Sequence, residues 1–142
     1  MLDGSPSPVL LTYPKETVVA EKFQAMVSLG IQNTRMKDFY DIYLLSETMS
    51  FDGELLCQAL VATFARRETP LPETRPLAFT PEFTEEGLKV QQWKAFSRRL
   101  KQQLELPQIM TRLEAFLIQP SKAAAQKDIF QANWHPGKGW ID

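Results

Sequence analysis

The residues best suited to chemistry crowd into the stretch from Lys22 to Asp41, K-FQAMVSLGIQNT-R-M-KD-FY-D. Lys22 is followed, after twelve residues, by Arg35, Lys37, Asp38 and Asp41. Three cations of this kind suit the holding of a phosphorylated ligand, with the two carboxylates orienting the lysines. Phosphoryl or nucleotidyl transfer also needs acids that bind a divalent metal. Asp38 and Asp41 are candidates for that role, but Lys37 and Arg35 stand next to them and oppose it. Positioning the lysines therefore ranks first for these carboxylates and metal binding second. The rest of the sequence offers no rival site: it has no Walker loop, G-x-G-x-x-G, G-x-S-x-G, H-E-x-x-H or C-x-x-C pattern. Cys57 has no basic neighbour in sequence and reads as core filler. His135 is the single histidine and lacks the companions of a metal site.

Two helices joined by a tight turn would position the cluster. The first is expected from Pro14, a good first-turn residue, to Gly30, a good residue just past a helix end. Val18, Val19, Phe23, Met26, Val27 and Leu29 share one broad face of it, and Lys22 falls within that face. A lysine can snorkel at the edge of an apolar stripe, but at its centre it needs an anion, either a carboxylate or a bound phosphate. The second helix is expected from Asn33 or Thr34, both good caps, to about Met49. It is apolar nearly all round, as buried helices are. Arg35–Asp38 are spaced i,i+3 and Lys37–Asp41 i,i+4, so each pair can meet along the helix. Charges among apolar neighbours on such a helix indicate a partly enclosed cluster. The plainer alternative is a pair of surface salt bridges.

The remaining elements supply support. Asp52 should cap a third helix, with Phe51 stapled to Leu56, Leu55, Ala59, Leu60 and Phe64 packing inward, and Arg66 and Arg67 closing its C-terminal end. Three prolines make Thr69–Thr80 an extended connection. Helix should restart near Pro81 and run mainly from Gly87 to Leu104, with Leu88, Trp93, Phe96 and Leu100 as anchors. Arg98, Arg99 and Lys101 give its outer face a basic run, most simply a solvated face and alternatively an RNA contact. A last helix from Pro107 to Leu117 should end before Pro120. The tail Phe130–Asp142 cannot be regular helix and should dock back on the domain. The leader, residues 1–13, holds a short apolar run, Val9–Tyr13, that would need a strand partner from elsewhere. The reading is all-α: a compact bundle of about five helices over residues 14–119, with a short extended N-terminal segment and an irregular Trp-rich tail over 120–142.

Composition sets the class. The chain has 142 residues, 44% of them hydrophobic, and a formal net charge of −1. That is one ordinary domain with a real core and no global attraction to nucleic acid. A single cysteine excludes an internal disulfide framework, and no stretch reaches membrane-spanning length, which makes a cytoplasmic protein the expectation.

The pattern K-x12-R-x-K-D-x-x-D, preceded by Y-P-K-E-T-V-V-A-E, resembles the third motif of the AbiEii/AbiGii toxin-type nucleotidyltransferases. These are bacterial toxins of toxin–antitoxin and phage-abortive systems, distantly related to DNA polymerase β. The resemblance extends from Tyr13 through R-R-x-T-P-L-P at Arg66–Pro72 to the tryptophan-rich tail. It implies that Lys22 and Lys37 contact nucleotide phosphates, beside Arg35, and that Asp38 and Asp41 complete the active site with Lys22. It also implies Mg²⁺ and a nucleoside triphosphate for the complete family site, and an antitoxin as partner. The family's N-terminal palm motif, G-S-x(3)-T-x-D-x-D, has no counterpart here, since the one glycine–serine pair, Gly4-Ser5, is followed by prolines. The expected function is therefore the helical half of a split or truncated toxin of this kind, holding phosphate but inactive alone, with a separate palm polypeptide as a candidate partner. The alternative is a helical interaction module, or self-associating domain, whose charged cluster is a structural salt bridge. A tRNA contact ranks behind both.

Overall fold

The computed structural model describes residues 13–142. The leader and the strand expected at Val9–Tyr13 lie outside them, Tyr13 excepted. The first helix, α1 (Lys15–Leu29), begins just after Pro14, whose carbonyl accepts the Val18 amide at 3.1 Å. Val18, Val19, Ala20, Phe23 and Met26 are its buried residues, while Leu29, expected on the same face, is 38% exposed. The helix stops at Gly30, where φ is 54° and ψ −133°, a backbone region open in practice to glycine alone. One 3₁₀ turn (Gly30–Gln32) then leads to α2 (Met36–Thr48). This helix starts later than expected because Asn33 spends its side chain on a local turn: its Oδ1 accepts the Arg35 amide at 2.7 Å.

The next helix, α3 (Gly53–Arg66), is capped by Asp52, whose Oδ1 accepts the amides of Glu54 at 2.9 Å and Leu55 at 3.3 Å. Its inward face is Leu56, Cys57, Leu60, Thr63 and Phe64; Leu55, expected inside, is 49% exposed. Past its end, Glu68 adopts φ 51°, Thr69 N–H bonds the Phe64 carbonyl and Glu68 N–H bonds that of Ala65. That pair of bonds is the Schellman closure, here made without glycine. After an extended connection come a 3₁₀ turn (Leu77–Phe79), the one-turn α4 (Pro81–Thr84) and α5 (Gly87–Ser97). α5 is shorter than expected: the chain turns back after Ser97, burying Leu100, and Trp93 Nε1 donates to the Leu104 carbonyl at 2.7 Å. Leu88, expected as an anchor, is 54% exposed.

The expected end before Pro120 is corrected by α6 (Leu106–Gln126), which runs straight through that residue. A proline inside a helix leaves the carbonyl four residues back without its donor. Here that carbonyl belongs to Phe116, and the Trp140 indole donates to it at 2.9 Å. The tail thus supplies the bond that Pro120 cannot. It does so from a small antiparallel sheet of β1 (Phe51–Asp52), β2 (Asn133–His135) and β3 (Gly139–Ile141), in that order, with Trp134 opposite Trp140. Trp134 Nε1 reaches the Ser46 carbonyl at 2.7 Å, and the Phe116 ring sits 4.9 Å from that of Trp134 and 5.0 Å from that of Phe51. Gly53 permits the closest approach: its amide donates to the Ala132 carbonyl at 2.9 Å, and a Cβ there would meet that oxygen at 2.4 Å.

The protein is thus mostly α-helical, as expected, with α1 on α3, and both α2 and α3 on α6. Among the described residues no helix is long and apolar enough to cross a membrane. The compensation at Pro120 is testable by a double-mutant cycle in urea. Trp140→Phe should cost about 1–3 kcal/mol by orphaning the Phe116 carbonyl. In a Pro120→Ala background, where residue 120 regains an amide, that cost should fall by at least half; equal costs in both backgrounds would refute the compensation.

Candidate functional site

The cluster is built where α1 crosses α2. Phe23 fixes α1 from below, its ring 5.8 Å from Phe64 and 6.3 Å from Phe79. Phe39 sets the rotation of α2 by an edge-on contact with Phe83 at 5.8 Å, with Ile42 and Leu45 fully buried beside it. With those anchors inside, Asp38 and Asp41 turn toward α1 and meet Lys22. Its Nζ donates to Asp38 Oδ1 at 2.8 Å and stands 3.2 Å from Asp41 Oδ2. Lys37 Nζ reaches the same Asp41 oxygen at 2.8 Å. Arg35 Nε lies 2.6 Å from Asp38 Oδ2, a buried oxygen that receives no well-aligned hydrogen bond.

All five residues singled out from the sequence are therefore in one constellation. Burial grades it: the side chain of Asp41 is 5% exposed and that of Lys22 18%, whereas Arg35 and Lys37 are more than half exposed. The inner pair is held and the outer cations stand toward solvent. Asp38 and Asp41 do not fit a divalent metal as they stand, because three cations lie within 3.2 Å of their oxygens. Among the described residues no group of three or more His, Cys, Asp or Glu side chains converges as a metal site.

Beside the cluster opens a groove of about 560 Å³. Lys22 and Arg35 line it, joined by Glu21, Gln24, Arg66 and Arg67. The two last arginines both engage Glu21: Arg66 through Nη2, Arg67 through Nε at 3.2 Å and Nη2 at 2.8 Å. Their sequence signal, two arginines closing a helix, says nothing of a partner 45 and 46 residues upstream. Arg98, Arg99 and Lys101 are exposed in the turn after α5 and take no part in this groove.

Cys57 is buried against α6, its Sγ donating to the Pro120 carbonyl at 3.3 Å, and loss of solvent pushes its thiol up to about 11. It is no nucleophile at neutral pH. A raised pKa stabilises the fold fully below the thiol's unfolded value, and that contribution is lost as pH climbs toward 11. A thiol reagent at pH 8 should consequently react with the native chain at least tenfold more slowly than with the urea-unfolded chain, as followed by absorbance. Equal rates would show the thiol to be accessible.

The graded burial gives a second expectation. Lys22→Met should cost about 1–3 kcal/mol in urea unfolding, since it strips a donor from two enclosed carboxylates. Lys37→Met, at an exposed position, should cost less than about 1 kcal/mol; the reverse order would mean that the inner ion pair does not hold the helices.

No curated protein and no solved structure gave a match to the chain. A family model does match it, over residues 1–119, under the description "Nucleotidyl transferase AbiEii toxin, Type IV TA system". That span contains α1 to α5, most of α6 and the entire charged cluster, so the chain belongs to the AbiEii nucleotidyltransferase toxin family.

Proposed function

We propose that this chain is the phosphate-holding helical part of a toxin-type nucleotidyltransferase. The observation that carries the reading is the graded cluster on α1 and α2. Lys22 is fixed between Asp38 and Asp41, while the guanidinium of Arg35 and the ammonium of Lys37 stand at its exposed rim. In this role Lys22, Arg35 and Lys37 contact the phosphates of a nucleoside triphosphate, and Asp38 and Asp41 hold the lysines in place against solvent and thermal motion. A lysine already gripped by two carboxylates approaches a phosphate with little rotamer freedom left to lose. Arg35 is equally suited to swing, because its contact with Asp38 is short but poorly aligned.

The 142 residues contain no Gly-Ser motif followed by an Asp-x-Asp pair. Magnesium ligands for transfer would come from such a palm, outside these 142 residues, and the cognate antitoxin is the partner we assign. On this reading the chain by itself binds nucleotide and does not transfer it. Incubation with magnesium, labelled nucleoside triphosphates and tRNA should leave the tRNA unlabelled, and any incorporation would refute the inactivity. Lys22→Ala should weaken nucleoside triphosphate binding at least tenfold in calorimetry.

One observation favours a second reading, a helical interaction module or self-associating domain. Each charge in the cluster already has a partner within 3.2 Å, as a purely structural ion-pair network would. Under that reading the Lys22→Ala chain loses stability and has no nucleotide affinity to lose, so the same titration decides between the two.

A further inference from the structure

The groove beside Lys22 is cationic beyond the cluster as well, because Arg66 and Arg67 also line it. Arg66 and Arg67 stand on the last turn of α3, which the Schellman closure at Glu68 and Thr69 fixes in place. Thr69 Oγ1 ties this turn to α1 by accepting from Gln24 Nε2 at 2.8 Å and to itself by donating to the Arg67 carbonyl at 3.0 Å. Two guanidinium groups are therefore held side by side at the groove wall, and both converge on one carboxylate, Glu21. One monoanion does not neutralise two guanidiniums. It also leaves donors over, since each guanidinium carries five N–H groups and the two together use three nitrogens on Glu21. All three side chains remain in reach of solvent, Glu21 at 27% and the arginines above half.

A carboxylate gripped by two guanidinium groups occupies the place that a phosphate would take, because both anions present paired oxygens to the same donors. We propose that Arg66 and Arg67, with Glu21 as an exchangeable internal anion, form a second phosphate subsite in this groove, next to the one at Lys22. This deepens the proposed function and rests on it for the neighbouring phosphate. Glu21 and Lys22 are consecutive on α1 and both line the groove, so a ligand with phosphates in series can address both positions. Two sources provide such a series: the tail of a nucleoside triphosphate and the backbone of a single-stranded acceptor.

The plain structural role, a surface clasp of α3 onto α1, predicts a different response to removal of the carboxylate. Glu21→Gln breaks the clasp but frees both arginines. It should therefore raise affinity for the phosphate ligand at least threefold, whereas the Arg66→Gln/Arg67→Gln chain should lose at least fivefold. The experiment titrates the full chain and these variants with UTP, and separately with a labelled oligouridylate lacking a 5′-triphosphate, with urea unfolding in parallel. Loss in the oligouridylate arm, with a salt slope reduced by about 0.7 per phosphate contact, assigns the subsite to a strand; loss in the UTP arm assigns it to the nucleotide tail. Both variants break the same clasp, so opposite effects on affinity cannot arise from stability. Unchanged affinity for both ligands in the double-arginine variant, or weaker binding by Glu21→Gln, would overturn the subsite. Lys22→Ala run alongside separates the two claims: if it leaves UTP binding intact while the arginine variant does not, the reading of Lys22 fails and the subsite stands.

Discussion

The contact of Lys22 with Asp38 and Asp41 is the constraint that ties the two site-bearing helices into one geometry. An ammonium placed within the packed side of α1 has to be met by anions, and the two carboxylates of α2 that meet it are spaced by three residues. That requirement fixes the height of α2 along α1, in the rotation that Phe39 sets. Gly30 makes it attainable, since its φ of 54° lets the chain turn within a single 3₁₀ turn and bring α2 back across α1. A longer connection would reach the same crossing with more freedom in register, and the lysine would then have water as an alternative to the carboxylates.

What keeps α2 in that pose lies at its other end. The Ser46 carbonyl on the last turn of α2 accepts the Trp134 indole, and the rings of Trp134, Phe116, Trp140 and Phe51 close around one another at 4.9 to 5.9 Å. The tail that delivers these indoles also repairs the carbonyl left free by Pro120. Proline, aromatic cluster and short sheet are thus one device, and it anchors the helix that carries Asp38 and Asp41.

How much of this was legible in the sequence follows from the range of each interaction. The pairs Arg35–Asp38 and Lys37–Asp41 are local, so helical spacing alone exposed them. Lys22 was legible because it interrupts an apolar face, which demands an anion without naming it. The cap at Asp52 was legible for the same local reason. Helix six was not: the rule that proline ends a helix is sound, but a donor 24 residues away in Trp140 overrides it. Leu55 and Leu88 were placed inside because leucine on a helix usually is, and nothing local revealed that α3 and α5 turn those positions outward. The pairing of Glu21 with Arg66 and Arg67 is wholly tertiary, so the sequence offered the charges and withheld their meeting.

Under the proposed function, the same geometry favours phosphate over a metal. A bare divalent cation would have to displace Lys22 and Lys37 from Asp41 and Arg35 from Asp38, exchanging three paired cations for one ion. A phosphate need displace none of the inner contacts, because the exposed ammonium of Lys37 and guanidinium of Arg35 have donors to spare beyond the one contact each makes in the cluster. The carboxylates then act on the ligand only through the cations they hold. Asp41, the most enclosed of the group, serves both lysines through one oxygen, so its loss would free Lys37 and leave Lys22 to Asp38 alone.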